Sequence, residues 1–440
     1  MDHVPLDGAS HPEVLIVILF VSAFGLAFLR VPVAFALGVA SVLVLLLMGR
    51  FPLSVAYVKM VGTVGTTTFV AIPFFLLAGN IMTTGGITAR LVDFSKAAVG
   101  WIWGGLSQVA VVVNMIMAGM SGSDLADAAA TGSVLIPAMK RSGYPANYAA
   151  AIIASAATMG PIIPPSIGFI IYGAITDLSI GRLFLGGAIP GIIMGLLLMG
   201  TCYVTAKRHG WPKEPMPSAR DFASRFITAL PALMLPVIII GGILGGVFTA
   251  TEASVVAVAY ALVVSLLVYR DIGLRQVPAI LLESLQQTAV LFLIIACAGV
   301  FGWVITVLHA GDATIDFLTG LTSRPWLILL FLNILFLILG CFVDVTANML
   351  IFAPLLTKVV AAYGIDPIHF GVIFVLNLQI GLMTPPYGLT MFLLLRIANI
   401  TMGEYIRAMW PFLATLVVLL MLVTYVPQLT VWLPNLVFGK

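Results

Sequence analysis

Apolar segments long enough to cross a membrane follow one another along the whole chain. A bilayer core about 30 Å thick is crossed by roughly 20 apolar residues in a helix. Apolar residues make up 61% of the 440 positions and charged residues only 8%, whereas soluble domains carry roughly 25% charged residues. The sequence therefore predicts an all-α polytopic membrane protein. The predicted spans are 13–30, 32–48, 69–84, 145–174, 186–206, 226–248, 252–270, 286–308, 367–397 and 408–426.

Two further apolar stretches, 104–139 and 326–360, are interrupted by polar residues near their middles. We expect each of them to form a re-entrant helical hairpin. The arm 109–118 would be only about 15 Å long at 1.5 Å per residue, which is too short to cross the membrane. The first arm of the second stretch is nearly long enough to cross the membrane by itself, so its length does not indicate a hairpin. The second hairpin is therefore predicted mainly from its similarity to the first. The segments 52–66 and 87–100 have charged faces and predict interfacial helices.

A polar linker, 207–225, divides the chain into two halves that resemble each other. Each half contains a polar hairpin tip, then a glycine close to a proline, and then a motif with adjacent prolines, 160–166 or 381–387. These features recur in the same order at an offset of about 220 residues, which indicates an internal duplication. We therefore assign residues 1–206 to a first repeat and residues 226–440 to a second.

The membrane orientation of the two halves follows from the hairpins and from the positive charges. If each hairpin enters and leaves on one side, each half has an odd number of crossings, and the repeats are inverted. A cytoplasmic linker then places fourteen of the 20 Lys and Arg residues inside, as the positive-inside rule requires. The sequence thus predicts a bacterial inner-membrane protein with both termini in the periplasm. The outer residues are Arg50, Lys59, Arg182, Arg324, Lys358 and Lys440.

Each predicted hairpin tip carries carboxylates and hydroxyls within an apolar segment. An Asp at the centre of a spanning helix costs about 2.5 to 3.5 kcal/mol on insertion scales, so Asp124, Asp127 and Asp344 require a compensating role. One reading is that they cap short helices, although capping explains one polar residue per tip and not a cluster. The functional reading is an ion or substrate site. Neither tip contains a basic residue, so a bound carboxylate would depend on helix dipoles, hydroxyls and bound cations.

The adjacent prolines of each half, at 164–165 and 385–386, predict a helix that is broken at membrane depth. Carbonyl groups left unpaired there must be buried or line a wet cavity. Secondary transporters use such breaks to hold cations and to direct helix N-termini at anionic substrates. Carbonyl and hydroxyl oxygens are hard ligands that suit sodium. A simple proline kink is the alternative, but two matched breaks favour a site.

Several longer motifs of the chain also carry a family resemblance. They are Ala-Ile-Pro-Phe-Phe (71–75) with Ala-Gly-Asn (78–80), Gly-Ser-Asp-Leu-Ala-Asp (122–127), Gly-Ser-Val-Leu-Ile-Pro-Ala-Met (132–139), Gly-Pro-Ile-Ile-Pro-Pro-Ser (160–166), Phe-Thr-Ala-Thr-Glu-Ala (248–253), Asp-Pro-Ile-His-Phe-Gly-Val (366–372) and Leu-Met-Thr-Pro-Pro-Tyr-Gly-Leu (382–389). Together they resemble the large permease subunit of tripartite ATP-independent periplasmic (TRAP) transporters, of the DctM type. The resemblance extends nearly from end to end of the chain.

This resemblance implies a sodium-driven transporter subunit that moves a transport domain against a scaffold in an elevator-like fashion. It implies two partners, a small four-helix membrane subunit and a periplasmic solute-binding protein. The solute would be a small organic acid such as a C4-dicarboxylate, and the chain would not be an enzyme. Sodium would be the coupling ion, and no other cofactor is expected. A scattered net charge of +3 gives no indication of a nucleic-acid partner.

The tips, the breaks and the resemblance together predict the site residues. The predicted sodium ligands are Ser121, Gly122, Ser123, Asp124, Asp127, Gly160, Asp344, Thr346, Gly381 and Thr384. The predicted substrate contacts are Ser123, Asp127, Pro164, Pro165, Ser166, Asn348, Pro385 and Pro386. Other polar residues within spans are expected to bridge helices, and these are Asn80, Asn114, Asn333 and Asn377.

The sequence alone leaves three alternatives to this function open. A self-sufficient sodium/carboxylate symporter could use the same inverted hairpins without partner proteins. An intramembrane hydrolase could use Ser123 with Asp124 or Asp127, but no histidine or lysine lies near enough in sequence to suggest a base. A channel is the third alternative, although paired hairpins entering from opposite faces suit alternating access better.

Overall fold

The computed structural model of the chain describes residues 12–29, 31–386 and 388–439. Within these ranges the chain consists of helices and connecting loops, without a β-strand. Both predicted periplasmic termini, with Lys440, lie outside the described residues, as do Arg30 and the last position of the second proline motif, Tyr387. The all-α fold class predicted from the sequence is confirmed.

The helices are mostly apolar, and eight of the described segments are long and apolar enough to cross a membrane. A 3₁₀ turn, Thr67–Val70, leads directly into α4, and a π-helical turn, Val264–Val268, extends α12. The α-helices of the described residues are α1 (Pro12–Phe28), α2 (Val33–Met48), α3 (Ser54–Val64), α4 (Ala71–Thr84), α5 (Ile87–Val99), α6 (Gly105–Ser121), α7 (Asp124–Arg141), α8 (Ala146–Ala157), α9 (Ile167–Thr176), α10 (Ile180–His209), α11 (Ala219–Leu244), α12 (Ala250–Val263), α13 (Val277–Val307), α14 (Ala310–Leu321), α15 (Pro325–Phe342), α16 (Val345–Ala362), α17 (Pro367–Leu382), α18 (Leu389–Ala398), α19 (Met402–Tyr425) and α20 (Gln428–Phe438).

Every predicted span corresponds to one helix or to a broken pair, and α3 and α5 match the two predicted interfacial helices. The predicted linker is shorter in the structure, because α10 continues to His209 and α11 begins after Ser218, whose hydroxyl caps it. Two short helices, α14 and α20, lie outside the predicted spans. α14 is held to α16 by an ion pair in which Lys358 Nζ lies 2.8 Å from Asp312 Oδ1.

The first hairpin consists of α6 and α7, which pack along each other. The chain reverses at Gly122, whose φ of +63° lies in the left-handed region that favours glycine. Ser123 follows as the N-cap of α7 and accepts a hydrogen bond from the Ala126 amide at 3.4 Å. Further from the tip, Thr131 Oγ1 donates to the Asp127 carbonyl of its own helix at 2.6 Å and lies 3.3 Å from Asn114 Oδ1, so Thr131 and Asn114 bring the two arms into contact.

The second hairpin, α15 and α16, has the same order of elements but a different packing. α15 packs along α17 rather than along α16, and Gly340 lies directly against Gly381 there. Asp344 caps α16 by accepting hydrogen bonds from the amides of Thr346 at 2.9 Å and Ala347 at 3.4 Å. The second hairpin is therefore held open by α17, whereas the first is closed on itself.

The two predicted helix breaks lie at the ends of α8 and α17. α8 ends at Ala157 and α9 begins at Ile167, and the corresponding gap in the second half lies between α17 and α18. The peptide bonds Pro164–Pro165 and Pro385–Pro386 are cis. Ser166 starts α9 as its N-cap and accepts from the Phe169 amide at 3.0 Å. The predicted break is thus present in both halves.

The hairpins and broken helices of the two halves pack on one another and form the core. α7 runs beside α18, α8 beside α19, and α16 beside α9. The outer helices pack on one another, with α4 on α12, α13 on α2 and α3, and α11 on α5, and they also contact the core, with α5 against α6 and α13 against α16. The inverted orientation and the repeat boundaries stay predictions.

Candidate substrate and ion site

A cavity of about 450 Å³ lies where the two hairpin tips meet. Both tips contribute polar residues to its wall, and these are Gly122, Ser123, Asp124, Asp344 and Thr346. The outer helices contribute a second polar wall, formed by Asn80 and Thr83 of α4 and by Glu283 and Gln287 of α13. The cavity therefore lies between the core of hairpins and broken helices on one side and the outer group on the other.

Three helices begin at this cavity, because the first residues of α7, α9 and α16 line it. The N-terminus of a helix carries a partial positive charge and unpaired amide groups, so it attracts anions. Among the described residues that line the cavity, none is Lys, Arg or His, while Asp124, Asp344 and Glu283 are acidic. A carboxylate substrate can be held here by backbone amides, hydroxyls and a cation.

Asp124 ties the first hairpin tip to the broken helix of the second half. Its Oδ2 atom accepts a hydrogen bond from Thr390 Oγ1, in the first turn of α18, at 2.6 Å. At the far ends of the same two helices, Lys140 Nζ donates to the Ala398 carbonyl at 3.4 Å. α7 and α18 therefore run side by side in the same direction, away from the cavity.

Asp127 lies one turn behind the first tip and is completely buried. Its Oδ1 atom accepts a hydrogen bond from Ser121 Oγ at 2.6 Å. Within the described part of the chain, no group donates to its Oδ2 atom. A Cβ atom placed on Gly160 would lie 3.0 Å from that oxygen and 3.0 Å from the Ser123 carbonyl carbon. The structure thus brings three other predicted ligands, Ser121, Ser123 and Gly160, together around a buried oxygen of Asp127 that needs a cation or a proton.

Asn348 occupies the position of Asp127 in the second half, 221 residues further along. It is also completely buried, and its Nδ2 atom donates to the Val343 carbonyl at 2.9 Å. Its Oδ1 atom has no hydrogen-bond donor among the residues that the structure describes. Each half therefore places an unsatisfied side-chain oxygen behind its hairpin tip. One half uses a carboxylate and the other uses an amide.

Asp127 and Asn348, which were predicted as substrate contacts, are absent from the described cavity wall, and the remaining predicted site residues also lie behind the cavity. Ser166 is fully buried in its capping role, and Thr384 Oγ1 donates to the Ile380 carbonyl at 2.6 Å. Gly381 packs against Gly340 of the second hairpin. The four prolines of the breaks, Pro164, Pro165, Pro385 and Pro386, shape the turns into α9 and α18 and are absent from the described cavity wall.

Five polar wall residues were not predicted as site residues: Asn80, Thr83, Glu283, Gln287 and Gln379. Asn80 Nδ2 donates to Ser284 Oγ at 2.8 Å and to Gln287 Oε1 at 3.1 Å, so it joins α4 to α13 and also faces the cavity. The helical spacing of Glu283 and Gln287 was a usable signal, but the predicted span began after Glu283.

Two other asparagines act as helix bridges, as expected from the sequence. Asn377 Nδ2 donates to Asn333 Oδ1 at 2.9 Å, and Asn333 Nδ2 donates to Thr424 Oγ1 at 2.9 Å. These contacts join α17, α15 and α19 away from the cavity wall.

Comparison with known proteins agrees with this architecture. A solved structure, the YdaH transporter of Alcanivorax borkumensis, described as having an unusual topology, is similar with a TM-score of 0.62 and 15% identity, covering 96% of this chain and 98% of that one. This likeness shows the fold alone.

Relatives in sequence are closer. The chain is 43% identical over 400 residues to the C4-dicarboxylate TRAP transporter large permease protein DctM of Pseudomonas aeruginosa, covering 91% of this chain and 94% of the relative. It is 38% identical over 415 residues to the sialic acid TRAP transporter large permease protein SiaM of Vibrio cholerae, covering 94% and 97%.

The family model of the tripartite ATP-independent periplasmic transporter, DctM component, matches residues 20–429. Its members are transport proteins and not enzymes, so a hydrolase is excluded. With its membrane-spanning helices, the chain belongs to the DctM family, as a multi-pass membrane subunit of a TRAP transporter.

Proposed function

We propose that this subunit couples the inward movement of sodium to the import of a small organic acid, such as a C4-dicarboxylate, across the bacterial inner membrane. A periplasmic binding protein would deliver the solute, and a small membrane subunit would support the scaffold. The observation that carries this proposal is the pair of buried, unsatisfied oxygens behind the hairpin tips, Asp127 Oδ2 and Asn348 Oδ1.

Sodium is the ion that best fits those two oxygens. A buried carboxylate oxygen without a donor is costly unless a cation or a proton accompanies it. The Ser121 hydroxyl at Asp127, and the Ser123 carbonyl oxygen 3.4 Å from that hydroxyl, are hard oxygen ligands. A proton could neutralise Asp127, but it could not serve the amide oxygen of Asn348 in the same way. A bound cation would stabilise the unpaired oxygen in both halves.

An organic anion fits the cavity that the two hairpin tips line. Helix N-termini of α7, α9 and α16 supply amides and positive potential. Because three acidic side chains line the same cavity, anion binding requires a bound cation first. That requirement would couple the transport of sodium to the transport of the solute. Identity of 43% to a C4-dicarboxylate permease supports a dicarboxylate as the solute.

Movement of the core against the outer helices would give alternating access. The cavity lies at the boundary between the two groups, so a sliding motion would carry bound solute past the wall of α4 and α13. This elevator-like motion also fits the predicted inverted repeats, since each hairpin would then face a different side of the membrane.

The test is solute uptake by proteoliposomes that contain this chain with its small membrane subunit, with the binding protein added outside. An inward sodium gradient is expected to drive C4-dicarboxylate accumulation, and a potassium gradient is not. Asp127→Asn should raise the half-saturating sodium concentration by about ten-fold or more, since loss of the charge weakens the cation contact by at least about 1.4 kcal/mol.

Asp316→Asn is the matched control, because Asp316 is exposed on α14 and does not line the cavity. Sodium-independent uptake would refute the proposed coupling. Uptake that needs neither partner would instead identify a self-sufficient symporter. An Asp127→Asn variant with unchanged sodium dependence would show that the buried oxygen does not bind the ion.

A further inference from the structure

The outer wall of the cavity consists of two stripes of side chains, one on α4 and one on α13. In each stripe the residues are three to four positions apart, which places them on one face of their helix. Each stripe changes from a strongly polar residue, through an amide, to a leucine. The stripe residues are Thr83, Asn80 and Leu76 on α4 and Glu283, Gln287 and Leu291 on α13.

The polar ends of the two stripes lie at the same end of the cavity. α4 ends beside the loop that leads into α13, because a Cβ atom on Gly86 would lie 2.9 Å from Asp271 Oδ2. Further back along α4, Asn80 Nδ2 donates to Gln287 Oε1 at 3.1 Å. The two helices are therefore antiparallel, and the wall is polar at the end where α13 begins and apolar at the other. In the predicted orientation, the polar end faces the cytoplasm.

Glu283 is the acidic residue of the described cavity wall whose carboxylate has no partner. The other two acids have one, because Asp124 accepts from the Thr390 hydroxyl and Asp344 accepts from amides at the start of α16. Within the part of the chain that the structure describes, no group pairs with the exposed Glu283 carboxylate. It lies in the second turn of α13, where the helix N-terminus no longer stabilises a negative charge.

An unpaired carboxylate in this wall repels an organic anion in the cavity. The cavity has a volume of about 450 Å³, so a bound anion lies on the order of 10 Å from Glu283. At that distance, repulsion between two unit charges weakens binding by about 2- to 15-fold, for an effective dielectric constant between 80 and 20. Because α13 is an outer helix, the proposed motion of the core would leave Glu283 behind. The repulsion would then act only when the core is in the position that the structure shows.

We propose that Glu283 lowers the affinity of the cavity for the organic anion and thereby promotes release of the solute at the polar end of the wall. This inference rests on the proposed function, since it assumes that the anion binds in this cavity. Glu283 does not touch the solute in a fixed pose and does not select between acids. It raises the free energy of the bound anion where the solute has to leave.

The test measures the affinity for succinate of the membrane complex, that is, this chain with its small membrane subunit in nanodiscs at saturating sodium. Isothermal titration calorimetry should show that Glu283→Gln binds succinate about 2- to 15-fold more tightly. Gln287→Glu should weaken succinate by a similar factor. It adds a charge one turn along the same stripe, and its carboxylate still accepts from Asn80. Opposite signs from these two substitutions are not expected from a structural disturbance.

A second measurement separates charge from packing. Choline chloride that raises the ionic strength from about 0.1 to 1 M shortens the Debye length from about 10 to 3 Å. The affinity difference between Glu283→Gln and the unchanged complex should therefore shrink towards zero. Asp93→Asn is the matched control, because Asp93 is an exposed acid of α5 that is absent from the described cavity wall. It should leave the affinity for succinate unchanged.

The outcomes distinguish this inference from the function on which it rests. Unchanged or weaker succinate binding by Glu283→Gln overturns the inference alone. Tighter binding that persists undiminished at high ionic strength also overturns it, because the gain would then come from packing. If the unchanged complex binds no succinate in sodium and none of the variants does, the proposed function fails together with the inference.

Discussion

Gly381→Ala is expected to move the second hairpin away from α17, because their backbones meet without room for a methyl group. A Cβ atom on Gly381 would lie 2.5 Å from the carbonyl carbon of Gly340 and 2.6 Å from its Cα atom. Carbon atoms in contact are normally about 3.5 to 4.0 Å apart, so α15 would have to move by roughly 1 Å. Both obstructing atoms belong to the backbone, and no change of rotamer can relieve the overlap.

Overpacking of this kind costs about 1 to 3 kcal/mol, which changes an equilibrium constant by about 5- to 150-fold. We expect the initial rate of sodium-driven uptake in proteoliposomes to fall by about ten-fold or more, because the tip residues Asp344 and Thr346 follow the displaced arm. Size-exclusion elution of the variant should stay that of the folded complex.

Gly403→Ala serves as the control, since a Cβ atom on Gly403, in the first turn of α19, meets no atom within 4 Å. This variant should transport normally and melt slightly higher, because alanine favours a helix by up to about 1 kcal/mol over glycine. Undiminished uptake by Gly381→Ala would refute the reasoning, because the close contact between the second hairpin and α17 would then have no role in positioning the tip.

Two further substitutions distinguish effects at the site from effects on the stability of the outer helices. Thr390→Val removes the hydroxyl that donates to Asp124 and should lower the stability of the complex by about 1.5 to 3 kcal/mol, with a weaker apparent solute affinity in uptake assays; an unchanged melting temperature would contradict it. Thr249→Ala removes one half of the capping box with Glu252 that opens α12 and should cost about 1 kcal/mol. Its melting temperature should fall while its half-saturating sodium concentration stays the same.

Much of this fold could be predicted from the sequence, because its strongest signals are lengths and breaks. Lipid forces every backbone group to be satisfied within the segment, so apolar runs of spanning length become helices. Paired prolines at 164–165 and 385–386 end helices wherever they occur, and both breaks are present. The tip residues Ser123 and Asp344 have the capping role that one reading of the sequence gave them, and both also line the cavity.

The cavity wall was harder to predict, because it combines residues that are distant in sequence. Asn80 and Gln287 meet across α4 and α13 only after the outer helices have packed. Glu283 lies on an exposed turn near the start of α13, where a charge is ordinary, so its helical spacing from Gln287 does not by itself show that this face meets the hairpin tips. The hairpin tips could be recognised in the sequence because they occur in both halves, whereas no repeat points to the residues of the outer wall.

The two halves share their order of elements but differ in side-chain chemistry, and that difference bears on how the transporter would work. Duplication explains why hairpin tips, breaks and buried oxygens occur twice. It does not explain why a carboxylate at Asp127 is matched by an amide at Asn348. A cation beside Asp127 would have its charge neutralised by the protein, whereas a cation beside Asn348 would keep its charge and attract an anion. The second half is therefore the half in which we expect ion and solute to depend on each other most directly.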